Sequence, residues 1–518
     1  MTGATPDSTL AAVNADVPAR RREALILAVI VGLLGLVGAL NHELWRDEAE
    51  IWLLARDSAT PGDLLTNMST EGHPMLWYAL NWMLARISPD PRMMQVLHVA
   101  IAAALAWTVG RHAPFPRFIR VLFCLGYYPI YEFNVISRAY GLQLLLALAI
   151  CVLWPRRAQA RWWIAVLLAL LSQTIAYGAI MAGALVIAMA ILSRSPEDPL
   201  GRLPAGAQAG PLALAVAGIA GGAGHAFWQA SRMGADHLGV YQPGYDFEWF
   251  ATAMSTILRG GLPLPDPGDA AVWNTNFVDA LGSASTIAGL LGGVGLLALG
   301  FWVLRGSPAI VAGFVVGTGA MLSLTLFLWY GQQRHHSETF LFWWVCVWIA
   351  VGSGARWTRL HSRVLGVLLA LHCVAGMWLF ATDLARPFSH AQGVAGVLES
   401  DEWNERPVVG HIDYAAQPIN AWLNRPIYYT ETRVFGTFLD WSENRKEVST
   451  EVAMREAFDL ARRENREIAL VLNYGPGQLD IGEETIEDGM ILRHTHRFEG
   501  AMVPTENYYL YVISPTDR

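Results

Sequence analysis

Long apolar runs recur along most of the chain and limit its possible folds more than any other feature. Each run approaches or reaches the ~20 residues that span a ~30 Å hydrocarbon core as a helix. Only 15% of the residues are charged, against roughly 25% in soluble proteins. The runs lie at residues 24–42, 93–110, 117–133, 139–154, 162–175, 177–193, 209–229, 283–304, 308–329, 337–354 and 362–382. The sequence therefore predicts an α-helical polytopic membrane protein with about 11 transmembrane helices.

Arginines are spread unevenly among the connectors, and this orients the predicted helices through the positive-inside rule. With Arg20–Arg22 in the cytoplasm, Arg-rich connectors such as 154–161 and 194–202 also fall inside. The pattern holds only if His73–Ile87, which is short for a span, lies in the membrane interface. We therefore expect a multi-pass protein of the bacterial inner (cytoplasmic) membrane, with a cytoplasmic N-terminus and an external, periplasmic C-terminus.

The apolar pattern also divides the chain into parts. Beyond residue 387 the long apolar runs stop, and the short runs 408–412 and 467–473 suit the buried strands of a small α/β domain. The predicted parts are a disordered cytoplasmic tail (1–23), a transmembrane domain (24–387) with external loops at 41–92 and 231–282, and an extracytoplasmic α/β domain (388–518).

Acidic residues collect directly behind the first apolar run, in the stretch 45–50 with the sequence WRDEAE. Ionisable groups at a membrane boundary are costly unless they face water, a partner or a substrate. On a helix, Arg46 and Glu50 can pair, whereas Asp47 and Glu48 point about 100° apart. The alternative to a site is a solvated helix whose apolar stripe lies on the membrane surface. A second acidic group, Glu71 with His73, opens the predicted interfacial helix, where an ordinary helix cap is the alternative.

Cationic residues collect in two later external segments. Arg138, with Tyr140 beside it at a helix mouth, can hold a phosphate by charge-assisted hydrogen bonds. A snorkelling arginine in an aromatic belt is an equal alternative. Arg334, His335 and His336 form the other segment. Adjacent histidines lack the one-turn spacing that places two zinc ligands on one helix face, so an anion site is favoured over a zinc site.

Acids in the first external loop and cations in later ones suit transfer of a group away from an anionic leaving group. A carboxylate can take the proton of an attacking hydroxyl, while arginine and histidine stabilise the departing phosphate. The membrane setting suggests that this phosphate belongs to a lipid.

The order of these motifs resembles that of the GT-C membrane glycosyltransferases. An N-terminal membrane helix is followed by external Asp47-Glu48-Ala49, then by a His-Pro-led aromatic segment, and then by Ser137-Arg138-Ala139-Tyr140 at a helix start. The nearest branch, glycosyltransferase family 39-like, holds the protein O-mannosyltransferases and the aminoarabinose transferases of lipid A. The similarity is strongest over residues 24–145, and Arg334-His335-His336 is similar to a basic motif of bacterial members.

The resemblance implies a GT-C-like fold and transfer of a hexose or pentose from a polyprenyl-phosphate-sugar donor to a glycan, lipid or protein acceptor of the envelope, with inversion at the sugar. It implies that Asp47 is the general base or orients the acceptor, with Glu48 beside it. No lysine occurs in the membrane region, so arginine or histidine must make the phosphate contacts. The implied donor-phosphate residues are Arg138, Tyr140, Arg334, His335 and His336, and the acceptor or orienting residues are Glu71 and His73.

Two other functions stay open, a transporter or flippase and a non-catalytic assembly factor for envelope glycolipids. Charges at one face, and two halves that look unlike, favour the enzyme over the transporter. A net charge of −8 disfavours nucleic acid. Asp47 and Glu48 could hold a divalent cation, Mg²⁺ or Mn²⁺, although the arginine and histidine residues could supply the same charge. Partial burial is expected to raise the pKa of Asp47.

Overall fold

The computed structural model describes residues 6–234, 246–423, 425–474, 480–487 and 489–516. It is mostly helical, and its mixed β-sheet is confined to the C-terminal part. Residues 235–245 of the predicted loop 231–282 lie outside the described residues. The helices are α1 (Pro6–Asn41), α2 (Arg46–Asp57), α3 (Pro61–Asn67), α4 (Leu76–Ala85), α5 (Arg92–His112), α6 (Arg117–Cys124), α7 (Tyr140–Leu153), α8 (Arg161–Leu171), α9 (Ala176–Leu192), α10 (Ala205–Ala230), α11 (Phe247–Gly261), α12 (Ser285–Leu304), α13 (Pro308–Phe327), α14 (Gln333–Gly352), α15 (Arg359–Ala385), α16 (Ala391–Leu398), α17 (Asp413–Leu423) and α18 (Thr450–Glu464).

Among the described residues, six helical segments are long and apolar enough to cross a membrane. Further apolar helices are shorter: α7, α8 and α9 have 14, 11 and 17 residues. At about 1.5 Å per residue, none of these three covers a ~30 Å core by itself. The chain is therefore a multi-pass membrane protein by length and composition, whereas the count of about 11 spanning helices stays a prediction. The six segments are Pro18–Asn41, Arg92–His112, Ala205–Ala230, Asp279–Leu304, Pro308–Phe327 and Arg359–Ala385.

Helices occupy part of the predicted disordered tail and part of the predicted external loop 231–282. Helix α1 begins at Pro6, so residues 6–23 of the predicted disordered tail belong to it. Alanine and arginine, both good helix formers, are frequent in that stretch. The predicted external loop 231–282 contains α11, whose first N–H groups are capped by Asp246.

Helix α14 lies at the centre of the membrane part, and its residues from Phe340 to Ala350 are all buried. Neighbouring helices pack on it from several sides, among them α7, α11 and α13. The stacked rings of Phe123 and Trp344, 4.0 Å apart, join it to α6. This packing holds the first turn of α14, which carries Arg334, in a fixed place.

The predicted first external loop, residues 41–92, folds into α2, α3 and α4. Helix α4 has 10 residues, too few to span a membrane. The apolar stripe of α2 was expected to lie on the membrane surface, but Ala49, Trp52 and Leu53 are fully buried in the protein. Ala49 and Leu53 pack against Ala421 of α17. Protein, not lipid, covers this stripe because the C-terminal part of the chain folds back onto α2.

The C-terminal part forms one seven-stranded sheet. Its central strands β1 and β4 are parallel, and β1 also pairs in parallel with β2, whereas all other pairs are antiparallel. The strand order is β3-β2-β1-β4-β7-β6-β5. The predicted α/β character of the tail is thus confirmed. The strands are β1 (Val408–His411), β2 (Ile427–Tyr429), β3 (Val434–Gly436), β4 (Ile468–Leu472), β5 (Glu484–Glu487), β6 (Met490–Phe498) and β7 (Tyr508–Pro515).

Polar contacts fix this sheet domain to α2 and to the segment between α3 and α4. Glu506 Oε1 accepts the backbone N–H of Arg46 at 3.0 Å, so a carboxyl group from the tail caps the start of α2. Trp441 donates its indole N–H to Glu50, and Thr70 donates to Asp440 at 3.3 Å. The domain therefore rests directly on the helix that carries Asp47.

Candidate active site

Three distant parts of the chain meet at Asp47. Its Oδ2 lies 2.7 Å from a terminal nitrogen of Arg334 and 3.5 Å from one of Arg138. The same nitrogen of Arg138 also donates to the backbone carbonyl of Asp47. Asp47 stands in the first turn of α2, Arg138 just before α7, and Arg334 in the first turn of α14. The structure thus joins the predicted carboxylate to two of the predicted cations.

The burial of this cluster is uneven. Arg138 and Arg334 are buried, with relative exposures of 8% and 4%, whereas 22% of the Asp47 side chain is exposed. The guanidinium group of Arg334 lies 5.1 Å from the centre of the Trp45 ring. Its Nε has no hydrogen-bond partner among the described residues. The two guanidinium groups are therefore buried, and Asp47 is the member of the cluster that is partly exposed.

The charge of Asp47 is set by its neighbours. Burial alone would raise the pKa of Asp47, but Arg138, Arg334 and Arg46 hold it below its ordinary value. The expectation that partial burial would raise this pKa is therefore wrong. Favourable interaction with three nearby cations outweighs the loss of hydration. Asp47 is ionised near neutral pH and, in this arrangement, a weak base.

Glu48 faces away from this cluster and is fully buried. Its Oε1 accepts the backbone N–H of Ser137, and its Oε2 lies 3.0 Å from His42 Nε2. Adjacent helical residues point about 100° apart, so only one of the two acids can face the opening. Glu48 does not reach the cluster as a second catalytic acid; it ties α2 to the segment that carries Arg138.

A buried histidine fixes the same segment from the other side. His98 of α5 contacts the carbonyl oxygens of Asn134 and Arg138 through its two ring nitrogens, at 3.2 and 2.9 Å. Together with Glu48, it holds the backbone of residues 134–138. This explains how a connector between two helices can present Arg138 at a defined position.

Glu71 and His73 lie beside the cluster, and neither is an ordinary helix cap, because α4 begins only at Leu76. His73 Nδ1 donates to the carbonyl of Glu71 at 2.7 Å, so in the neutral ring Nε2 carries the lone pair. Burial, with the charge of Arg138, lowers the pKa of His73 to about 4. His73 is therefore neutral near pH 7 and can accept a hydrogen bond at Nε2. Gly72 between them has a φ of +71°, which favours glycine.

A pair of carboxyl groups lies behind His73. Tyr78 donates its hydroxyl to Glu71 Oε2 at 3.1 Å. Burial and the neighbouring Glu50 raise the pKa of Glu71 well above its ordinary value. Burial, with the charge of Asp47, also raises the pKa of Glu50, to about 7, despite the hydrogen bond from Trp441. The predicted pairing of Arg46 with Glu50 is not made. Arg46 instead lies 3.7 Å from Asp47.

The remaining predicted phosphate residues divide into two groups. The rings of Tyr140 and His335 meet edge to face, 5.9 Å apart, next to Arg138 and Arg334 in the chain. His335 Nδ1 also accepts the backbone N–H of Gln332 at 2.9 Å and caps α14. His336 is buried and contacts the Tyr330 carbonyl at 3.1 Å. Tyr140 and His335 can line a donor site, whereas His336 has a packing role.

The metal alternative gains no support from the geometry. In the described parts of the chain, no group of three or more His, Cys, Asp or Glu residues could hold a metal ion. The Asp47 and Glu48 carboxylates have different partners, so they cannot act as two ligands of one ion without rearrangement. Arginine residues supply the positive charge at this site.

Several residues of the site carry no signal in the sequence. Glu506 and Trp441 reach α2 from the tail, more than 390 positions away along the chain. Trp273, from the long external loop, packs edge to face on Trp45 with ring centres 4.8 Å apart, and it donates to Glu132 at 3.1 Å. Only the fold places them near Asp47.

No protein-family model matches this chain, and no curated protein matches it closely enough to count as a relative.

Proposed function

We propose that this chain is a membrane glycosyltransferase that moves a sugar from a polyprenyl-phosphate-sugar donor to an acceptor of the cell envelope. The single observation that carries the proposal is the placement of Asp47 against Arg138 and Arg334, at 3.5 and 2.7 Å. Two buried guanidinium groups around one exposed anion form a site for a phosphate, since arginine binds carboxylate and phosphate oxygens in the same way.

The Asp47 carboxylate stands where the donor phosphate is expected to bind. In this proposal the incoming phosphate takes the hydrogen bonds of Arg138 and Arg334, and Asp47 is released from both. Loss of two cationic contacts raises the pKa of Asp47, because those contacts are what hold it low. Donor binding thereby turns a weak base into a stronger one, next to the sugar that will react.

The reaction is then a direct displacement. The acceptor hydroxyl oxygen forms a bond to the anomeric carbon while the bond from that carbon to the phosphate oxygen breaks. The electron pair leaves with polyprenyl phosphate, which Arg138 and Arg334 stabilise, and the proton passes to Asp47. Attack opposite the leaving group inverts the sugar. His73, neutral with Nε2 free of a proton, can accept a hydrogen bond from a substrate hydroxyl other than the attacking one and so orient the substrate.

Binding energy from the lipid tail supports this chemistry. Asp47 follows the end of α1, and Arg138 and Arg334 stand at the starts of α7 and α14. In this proposal, a lipid-linked phosphate leaves the hydrocarbon region at these helix ends. Contacts along a tail in the membrane can orient the headgroup before reaction. The chain length of the polyprenol and the sugar are not specified by these contacts.

A transporter or flippase is the second candidate, because carboxyl groups are buried in the membrane part. Asp383 Oδ2 lies 2.9 Å from His42 and accepts a hydrogen bond from Tyr131 at 3.1 Å. Glu338 accepts from Gln143 at 2.6 Å. Each is thus engaged by a buried neighbour, which favours a structural role. A non-catalytic assembly factor, the third candidate, would bind a lipid phosphate at the same site without transferring a sugar.

One experiment separates the glycosyltransferase from the two other functions. Envelope glycans, lipids and proteins are analysed by mass spectrometry in a strain lacking the gene and in strains complemented with the wild-type protein or with Asp47→Asn. The glycosyltransferase proposal expects a missing sugar that only the wild-type protein restores. Full restoration by Asp47→Asn, at matched membrane levels, would favour an assembly or transport role instead.

A further inference from the structure

A second candidate site lies between helices α8, α9 and α10, far along the chain from Asp47. An apolar groove runs between these helices and contains ≈ 550 Å³ of empty space that is continuous with the surroundings. Its walls include Ala165, Leu168, Val186, Met189, Leu212 and Ala215. Its mouth is polar, with Arg161, Ser193 and Gln208. The groove thus combines an apolar interior with a cationic entrance.

A backbone hydrogen bond that α10 cannot make leaves a carbonyl that holds Arg161 at this mouth. Pro211 lies inside α10 and has no N–H to donate to the carbonyl of Ala207, one helical turn before it. Arg161 Nε donates to that freed carbonyl at 3.0 Å. A terminal nitrogen of Arg161 donates to the Ala158 carbonyl at 2.8 Å. Neutral backbone oxygens therefore fix the guanidinium group, and its charge is not neutralised by them.

The acids near this groove do not compensate Arg161. Asp198 is the buried acid of the connector between α9 and α10, and it is bound by Arg157, with Nε to Oδ1 at 3.1 Å. Among the described residues, Arg161 makes no ion pair with a carboxylate. The exposed Arg156, Arg194 and Arg202 surround the same connectors, with Glu197 as the one other acid there. An uncompensated cation at the mouth of an apolar groove calls for an anionic ligand with an apolar part.

Exposed tryptophans place this mouth at the membrane surface. Trp162 and Trp163, directly after Arg161, are 51% and 70% exposed. Tryptophan is enriched where hydrocarbon meets the headgroups. The groove therefore opens sideways into a leaflet, with Arg161 at headgroup depth. This leaflet is the one that surrounds the Arg-rich connectors, opposite the leaflet of the Asp47 cluster in the predicted topology.

We propose that this groove binds one anionic phospholipid, with an acyl chain between α8, α9 and α10 and the headgroup phosphate on Arg161. The site is distinct from the donor site and does not depend on the glycosyltransferase proposal. Charge complementarity selects an anionic headgroup over a zwitterionic one, because Arg161 has no carboxylate partner to displace. The bound lipid fills the groove and stabilises the packing of α8 and α9, which are short for a membrane, against the longer α10.

Lipid retention on the purified full-length protein tests this proposal. Native mass spectrometry compares phosphatidylglycerol with phosphatidylcholine of the same acyl chains, for the wild-type protein and for Arg161→Gln, Arg161→Lys and Ala190→Phe. We expect the wild-type protein to prefer phosphatidylglycerol. One interfacial arginine contributes about fivefold in affinity for an anionic lipid, so Arg161→Gln should lose about that factor. Arg161→Lys should keep most of the preference.

Ala190→Phe and one control variant make the test specific. Ala190 lines the groove, so Ala190→Phe should fill it and lower retention of both lipids, which tests the site even if Arg161→Gln does not fold. Arg305, in a different connector and exposed, is the matched control, and Arg305→Gln should behave as the wild-type protein. Equal retention of the two lipids, no effect of Arg161→Gln, or an equal loss in Arg305→Gln would overturn the proposal.

Discussion

Glu48 accepts a hydrogen bond from the backbone N–H of Ser137, the residue directly before Arg138. Its other oxygen lies 3.0 Å from His42. The two adjacent acids of α2 therefore have different tasks. Asp47 faces the opening and meets the guanidinium groups, while Glu48 fixes the segment that presents one of them.

We predict that Glu48→Ala destabilises the protein and that Asp47→Asn does not. Removing Glu48 leaves the Ser137 N–H without a buried partner and takes from His42 one of its two carboxylate contacts, the other being Asp383. Breaking a buried ionic contact costs about 3–5 kcal/mol. Thermal unfolding of the purified protein in detergent measures the loss. The control is Asp57→Asn at the end of the same helix, which weakens only the ion pair of Asp57 with the neighbouring Arg56 and should cost less than about 1 kcal/mol. An unfolding temperature of Glu48→Ala equal to that of the control would refute the positioning role.

We predict that Arg334→Gln and Arg138→Gln weaken donor binding more than acceptor binding. A hydrogen bond to a charged group contributes about 1.5–3 kcal/mol, so each variant should lose roughly 10- to 100-fold in affinity. Titration with polyprenyl phosphate measures this without knowledge of the sugar. Arg334→Lys should restore only part of the affinity, because lysine lacks the planar guanidinium group that lies over Trp45. Arg232, exposed on a tryptophan outside the cluster, is the control; a loss in Arg232→Gln as large as in Arg334→Gln would point to general electrostatic attraction.

We predict that Glu50→Gln removes a pH dependence of stability. The pKa of Glu50 is raised from 4.5 to about 7 in the folded protein, so the folded state keeps a proton that the unfolded state releases in this window. Its contribution to stability is full below the unfolded pKa and is lost as the pH rises through 7. Glutamine does not titrate and can still accept from Trp441.

Unfolding temperatures measured between about pH 5 and pH 8 check this sign. The wild-type protein should lose stability relative to Glu50→Gln as the pH rises. Asp57→Asn should show no such trend against the wild type. A difference between wild type and Glu50→Gln that stays constant over this range would place the buried proton elsewhere, for example on Glu71.

The sequence predicts the cluster at Asp47 because positive-inside topology places Asp47, Arg138 and Arg334 on the same side of the membrane. Short polar segments at helix ends are confined to the membrane surface at which those helices end, so three of them can meet there. The sequence does not predict which acid of the Asp47-Glu48 pair faces outward. Both orientations of α2 satisfy the local pattern, and the choice depends on the buried contacts of Glu48 with His42 and Ser137.

Other features depend on contacts between remote segments and leave no local signal. Either lipid or protein could cover the apolar stripe of α2. In the structure, Ala421 of α17 packs against it. The pKa of Asp47 follows the guanidinium groups and not its burial, which is a property of the assembled site. The lengths of α7, α8 and α9 could not be predicted either. Apolar composition indicates that a segment is buried in lipid or protein, but it does not give the length of the helix.

Binding and transfer measured together on Asp47→Asn test the central claim most directly. Because Asp47 competes with the donor phosphate for Arg138 and Arg334, the variant should bind polyprenyl phosphate at least as tightly as the wild-type protein. Loss of the general base should lower sugar transfer from lipid-linked donors extracted from cells by about 10²–10⁴-fold. Arg138→Gln, which should lose binding, is the matched comparison. Weaker binding of polyprenyl phosphate to Asp47→Asn, or transfer at the wild-type rate, would contradict the proposed mechanism.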